Sequence, residues 1–173
     1  KSRMMSYPIL KPLQEELNNK YQRTIVAVPS VEWAQQVFPT LPKKAAVDSL
    51  WEAILTTARV TDDPIKAWNE HNKNLLDRCN YLNSLNIDYL EYKSSNGTDF
   101  KVGLMNESVW CGGGETTIGG VYFNPNMPTE ECFTSPKKGL AEGKVVATKP
   151  LSYNGELIEN FYFIFKEGKV VEC

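Results

Sequence analysis

One histidine in 173 residues, His71, limits the chemistry that this chain can perform by itself. A zinc site built on two histidines is excluded, and the run His71-Asn72-Lys73-Asn74-Leu75 lacks the second histidine of an H-E-x-x-H helix. A Ser-His-Asp triad would have to use the same residue. On a helix, His71 falls one turn after Trp68 and one turn before Leu75, which suits a half-buried structural histidine better than a base or a ligand. Cys79, Cys111, Cys132 and Cys173 stand too far apart for a C-x-x-C knuckle or redox pair and are too few for a disulfide framework. They read as reduced thiols of a cytoplasmic protein.

Gly112-Gly113-Gly114 could converge backbone N–H groups on an anion, as phosphate loops do. The match fails in detail. No G-x-x-x-x-G-K-[ST] is present, and a G-x-G-x-x-G begun at Gly112 meets Thr117 where its last glycine should be. A tight connection after a strand ending at Trp110 is the better reading. The segment from Phe123 to Thr134 differs in kind. Pro125 and Pro128 disfavour helix at Asn124 and Met127, so an extended backbone leads into Thr129-Glu130-Glu131. A carboxylate held there suits a divalent metal, which needs its ligands fixed before binding. Alternatively, Thr129 caps a short helical turn whose first residues are acidic. On residue chemistry alone the capping reading has the advantage.

Two kinds of element must position these residues. In the first half, Leu10, Leu13 and Leu17 sit near helical spacing in Leu10 to Asn19, and Thr24 to Val28 suits a short buried strand. Ser30 can cap a helix reaching Phe38, with Glu32 in its first turn and Pro39 closing it. Between Lys43 and Arg59, Ala46, Val47, Leu50, Trp51, Ile54, Leu55 and Ala58 fall three and four apart on an amphipathic helix. Asp63 as N-cap and Pro64 at the first position open another, with a stripe of Ile65, Trp68, Leu75, Cys79 and Leu82 running towards Leu85. Beyond residue 86 the period changes to two. Tyr89 to Tyr92 and Phe100 to Leu104 flank Ser95-Asn96-Gly97 as a hairpin; Gly119 to Phe123, Val145 to Thr148, Leu157 to Phe165 and Lys169 to Glu172 follow as strands, with turns at Asn154-Gly155 and Glu167-Gly168. The fold class is α+β: a helical first half with one short strand and an antiparallel, β-rich second half.

Composition excludes several classes of function. Hydrophobic residues make up 42% and charged residues 23%, as in ordinary globular proteins. No run approaches the roughly 20 apolar residues that cross a bilayer, and Lys1-Ser2-Arg3 opens no secretory signal, so no membrane partner and a cytoplasmic location are expected. Nineteen basic against 21 acidic residues give a net charge of −2, which argues against a nucleic-acid partner.

The run Asn126-Met127-Pro128-Thr129-Glu130-Glu131-Cys132-Phe133-Thr134 resembles the N-[LMI]-P-x-x-E-V-F-T signature of the dimetal aminopeptidases of the aminopeptidase T, aminopeptidase S and PepS type, the thermophilic metalloprotease family. Val28-Pro29 to Phe38-Pro39, Trp51-Glu52-Ala53-Ile54, Asp63-Pro64 through Trp68 to His71, Gly97-Thr98-Asp99-Phe100, Trp110 to Gly114 and Lys149 to Gly155 resemble the family's other blocks in the same order. The resemblance implies a metal-dependent aminopeptidase that removes N-terminal residues from peptide substrates with two divalent metal ions, zinc or cobalt. It places a metal ligand on Glu131, the acid directly before the -[VC]-F-T step; Glu130 occupies a variable position. Cys132 departs from the family's usual Val with little change in size.

The remaining ligands of that family lie in later motifs with no counterpart here. The resemblance therefore implies an internal piece of a larger two-domain peptidase, with an incomplete site and no efficient catalysis of its own. Residues 1–40 would be the tail of an N-terminal α/β region, 41–86 a helical segment, and 87–173 the first β-rich part of the metal-binding domain. The intact protein is allowed to be a homodimer. A non-catalytic binding or interaction module, with Glu131 in a structural acidic turn, is the competing reading.

Overall fold

The computed structural model describes residues 20–173; the helix expected over Leu10 to Asn19 lies outside them. The chain forms two compact units, whose described parts are residues 20–78 with 112–132, and residues 79–111 with 133–173.

The first unit is built on three helices. Ser30 caps α1 (Val31–Val37) in extended backbone, and its Oγ accepts the Trp33 backbone N–H at 3.1 Å. Helix α2 (Lys43–Thr57) packs on α1 through a small core of Ala34, Ala46 and Leu50, ringed by Phe38, Leu41, Val47 and Ile54. The two alanines are fully buried, so the helix backbones approach closely there. Trp51 and Leu55, on the same expected stripe, are exposed.

Helix α2 ends in a Schellman arrangement: Arg59 N–H donates to Thr56 O at 3.1 Å and Val60 N–H to Leu55 O at 2.9 Å, with Arg59 left-handed at φ 57°. Glycine is the usual residue there, because a side chain in that conformation costs about 1 kcal/mol. Four residues later Asp63 Oδ1 accepts the Lys66 N–H at 3.0 Å and opens α3 (Pro64–Ser84), whose length up to Arg78 belongs to this unit. Trp68 and Leu75 are buried along α3, as is Cys79 beyond the unit's limit. Ile65, expected on that stripe, is 75% exposed.

The strand expected over Thr24 to Val28 is present as Ile25–Val26, paired in parallel with Asn126–Met127. Its burial is not observed. Ile25, Val26 and Val28 are exposed, because an apolar run requires cover on both faces and the described residues supply pairing along one edge only. The strand expected from Gly119 narrows to Tyr122–Phe123, which pairs with Glu115–Thr116 across a turn held by Gly120 N–H to Thr117 O at 2.9 Å.

The second unit carries a five-stranded antiparallel sheet, in the order Lys169–Glu172, Tyr162–Lys166, Pro136–Val146, Asp99–Leu104, Tyr89–Lys93. Phe100 and Phe165 pack on it with ring centroids 5.3 Å apart. The hairpin expected around Ser95-Asn96-Gly97 forms. Only Gly97 takes positive φ; Asn96 instead accepts the Thr98 N–H through its side chain at 3.1 Å.

The turns at Asn154-Gly155 and Glu167-Gly168 adopt positive φ at both residues, as a two-residue hairpin requires. The run Leu157 to Phe165 is not one strand: it breaks between Glu156–Ile158 and Tyr162–Lys166, with Asn160 at φ 51°. The strand expected at Val145 to Thr148 instead starts at Pro136 and ends at Val146. Its first half, Pro136-Lys137-Lys138-Gly139-Leu140, has no alternation from which a strand could be read. Gly143 lies at φ 96° within it, and a Cβ there would collide with the Asp99 carbonyl.

The α1 cap generates a stability prediction. Ser30→Ala should lower the unfolding free energy by about 1 kcal/mol in urea titration at neutral pH. The Glu32 carboxyl is held below its ordinary value of 4.5, first by backbone hydrogen bonding and then by the Ser30 hydroxyl. A lowered carboxyl contributes stability above its unfolded value and loses it as pH falls through the folded one. The gap between parent and variant should therefore narrow in acid.

Candidate metal centre

The backbone from Asn124 to Cys132 is attached to α2, α3 and the strand Ile25–Val26 at successive points. Asn72 and Asn124 exchange side-chain amide hydrogen bonds at 3.0 and 2.9 Å. Pro125, which has no N–H, accepts the Ile25 N–H at its carbonyl at 2.8 Å, and the parallel pairing of Ile25 with Asn126 and Val26 with Met127 follows. The ladder stops at the Met127-Pro128 bond, which is cis, since Pro128 has no N–H to offer. Ile25, Val26 and Ala27, together with Asn126 to Glu131, line a cleft of about 660 Å³.

Residues 129–131 are not helical, which removes the capped acidic turn as an account of Thr129. Thr129 O accepts a hydrogen bond from His71 Nε2 at 2.6 Å. A carbonyl cannot donate, so that nitrogen carries a proton and is not available as a ligand. His71 packs edge-on to Trp68 with centroids 5.6 Å apart, and its side chain is only 11% exposed, the structural histidine expected from its helix face.

Glu130 and Glu131 have different surroundings. Glu130 Oε1 takes a 2.5 Å bond from the Arg59 guanidinium, and Oε2 lies 3.8 Å from His71 Nε2. Arg59 also lies over the Trp68 ring, 5.8 Å from its centroid. After the pair, Cys132 Sγ contacts Leu75 O on α3 at 3.8 Å. Glu131 is fixed on both sides. It is among the residues lining the cleft, is exposed, and its carboxylate has no hydrogen-bond or ion-pair partner among the described residues.

An exposed, unpaired carboxylate on an ordered backbone fits one hard oxygen ligand of a divalent cation. It is not a site alone: among the described residues no three His, Cys, Asp or Glu side chains converge. The connection expected after a strand ending at Trp110 is displaced: Trp110 lies in no strand, Gly112 ends the strand Cys111–Gly112, and Gly113-Gly114 link it to Glu115–Thr116. Gly113, at φ 78°, comes close to Asn72 and Leu75, and a Cβ on Gly114 would overlap the Tyr122 ring.

Motif reasoning found the acids but not the residues that hold them. Arg59 is 71 positions from Glu130 and Asn72 is 52 from Asn124, separations over which spacing carries no signal.

Comparison with known proteins gives the class. The chain matches the Thermophilic metalloprotease (M29) family over residues 2–173 and belongs to that family. It is 47% identical to Aminopeptidase 2 of Geobacillus stearothermophilus over 150 residues, covering 86% of this chain and 36% of the relative. Against Aminopeptidase T of Thermus thermophilus it is 42% identical over 166 residues, covering 95% and 40%. The solved structure of wild-type AmpT from Thermus thermophilus superposes with a TM-score of 0.86 at 41% identity, over 96% of this chain and 41% of that one. The chain thus spans about two-fifths of the length of the relatives it matches, and its α+β architecture is that of part of a larger AmpT-like peptidase.

The reciprocal amides can be tested directly. Asn124→Asp sets a second acceptor against Asn72 Oδ1 in a half-buried position, and should lower stability by about 1–3 kcal/mol in urea unfolding. Asn124→Ala should cost less, because it removes a partner without adding repulsion.

Proposed function

We propose that the whole protein to which this chain belongs is a metal-dependent aminopeptidase, hydrolysing the first peptide bond of peptide substrates. The observation that carries this reading is the exposed Glu131, unpaired among the described residues and one of the residues that line the cleft, on the acidic motif that resembles the family's. Family membership and relatives named as aminopeptidases support it. In this proposal Glu131 is one ligand of a centre holding two divalent cations, zinc or cobalt. The cations, when bound, would supply Lewis acidity and activate water at neutral pH.

The contribution of this chain is a fixed anion. Glu131 has no ion pair to break before it meets a cation, and its charge offsets the repulsion between two cations held close together. Its neighbours hold the backbone so that little ordering remains to be done at binding. Other ligands come from parts of the protein that this chain does not span, so the chain alone is inactive. We read residues 1–40 as the tail of an N-terminal α/β region, 41–86 as a helical segment and 87–173 as the first part of the metal-binding domain. The four cysteines are not joined in disulfides, which supports a reducing, cytoplasmic setting, and a homodimer of the whole protein is part of the same reading.

Glu131→Gln in the whole protein keeps volume and removes charge. Release of amino acids from aminoacyl chromogenic substrates should fall by more than about 100-fold, while circular dichroism stays that of the parent. Undiminished turnover would reassign the ligand. The 173-residue chain, supplied with cobalt or zinc, should release no product.

A further inference from the structure

We propose that Arg59 and Glu130 form a positioning pair that keeps Glu131 available to a cation, an inference that rests on the ligand reading of Glu131. Two adjacent acids line the same cleft, and a divalent ion could be drawn to either. The structure separates them. Glu130 is engaged by the Arg59 guanidinium and approached by His71, whereas Glu131 has no partner among the described residues. Engagement neutralises Arg59, whose charge would otherwise repel a cation at the neighbouring residue, and anchors the backbone one position before Glu131.

The local geometry of Arg59 points the same way. It occupies the left-handed residue that ends α2, where glycine is the least strained choice, yet it carries a long side chain lying over Trp68 and bonded to Glu130. The pair itself adds little to stability: the Glu130 side chain is 63% exposed, and solvent screens an ion pair of that kind. A strained residue that serves an exposed contact is accounted for by what the contact positions. Arg59 and Glu130 touch no substrate in this proposal; they act through Glu131.

The test uses the whole protein, with Zn2+ affinity measured by competition against a chromophoric chelator and folding by thermal unfolding of the metal-free form. Arg59→Gly relieves the backbone while deleting the guanidinium, and Glu130→Gln deletes its partner charge. Each should weaken Zn2+ binding by about 10–100-fold with the unfolding midpoint close to the parent's. The double variant should lose no more than the worse single one, because the two residues act as a unit. Arg59→Lys, which keeps the charge, should recover part of the affinity.

Parental Zn2+ affinity in Arg59→Gly and Glu130→Gln, alongside loss of binding in Glu131→Gln, would overturn the positioning role and leave the ligand reading standing. Lowered midpoints with unchanged affinity would overturn it as well, making the pair merely structural. Parental affinity in Glu131→Gln would instead remove the ligand reading.

Discussion

The hydrogen bond from His71 Nε2 to Thr129 O is the constraint on which the candidate site depends. It joins a helix to a stretch of backbone with no regular structure, and does so one residue before the acidic pair. Without it, residues 128–131 would be tied to the rest of the unit through an exposed ion pair, the short ladder that ends at Met127 and the contact of the Cys132 thiol with Leu75 O. A single polar bond between half-buried groups contributes modestly to stability, but it removes backbone freedom immediately before the two acids.

That bond has its geometry because α3 begins where it does. Asp63 and Pro64 set the first turn, and from there the helical period places Trp68, His71, Asn72 and Leu75 on one face. Each of the four has a task there. Trp68 donates its indole N–H to Ala58 O at 2.8 Å and backs the Arg59 guanidinium, Asn72 grips Asn124, and Leu75 receives Gly113 and the Cys132 thiol. A start one residue later would turn that face by about 100° and break every contact at once. The N-cap of α3 is thus as much part of the candidate site as the acids.

Local rules in the sequence specify such caps and phases well. Ser30, Asp63-Pro64, Asn154-Gly155 and Glu167-Gly168 each act within a few residues of themselves, and the structure uses them as their chemistry requires. What local rules miss is set from a distance. The strand starting at Pro136 carries no alternation of its own and is drawn out by neighbours on both sides. The break at Asn160 interrupts an apolar run that by period alone would continue. Asn124 reads as extended backbone before a proline and Arg59 as the end of a helix until the fold brings their partners across 52 and 71 positions. Glu131 could be singled out because a family motif surrounds it; its lack of a partner could not, since that depends on Arg59 taking Glu130.

Pro128 sits at the centre of this arrangement for a reason belonging to the backbone. Parallel pairing with Ile25–Val26 holds the approach to the acids in register, but a ladder continued past Met127 would engage the backbone N–H groups that follow and close the space beside Glu131. Proline ends the ladder by withholding its donor, and residues of both backbones line the cleft beside it. The same short sequence therefore does two opposed things: it pairs, which fixes position, and then stops pairing, which leaves the cleft beside the acids open.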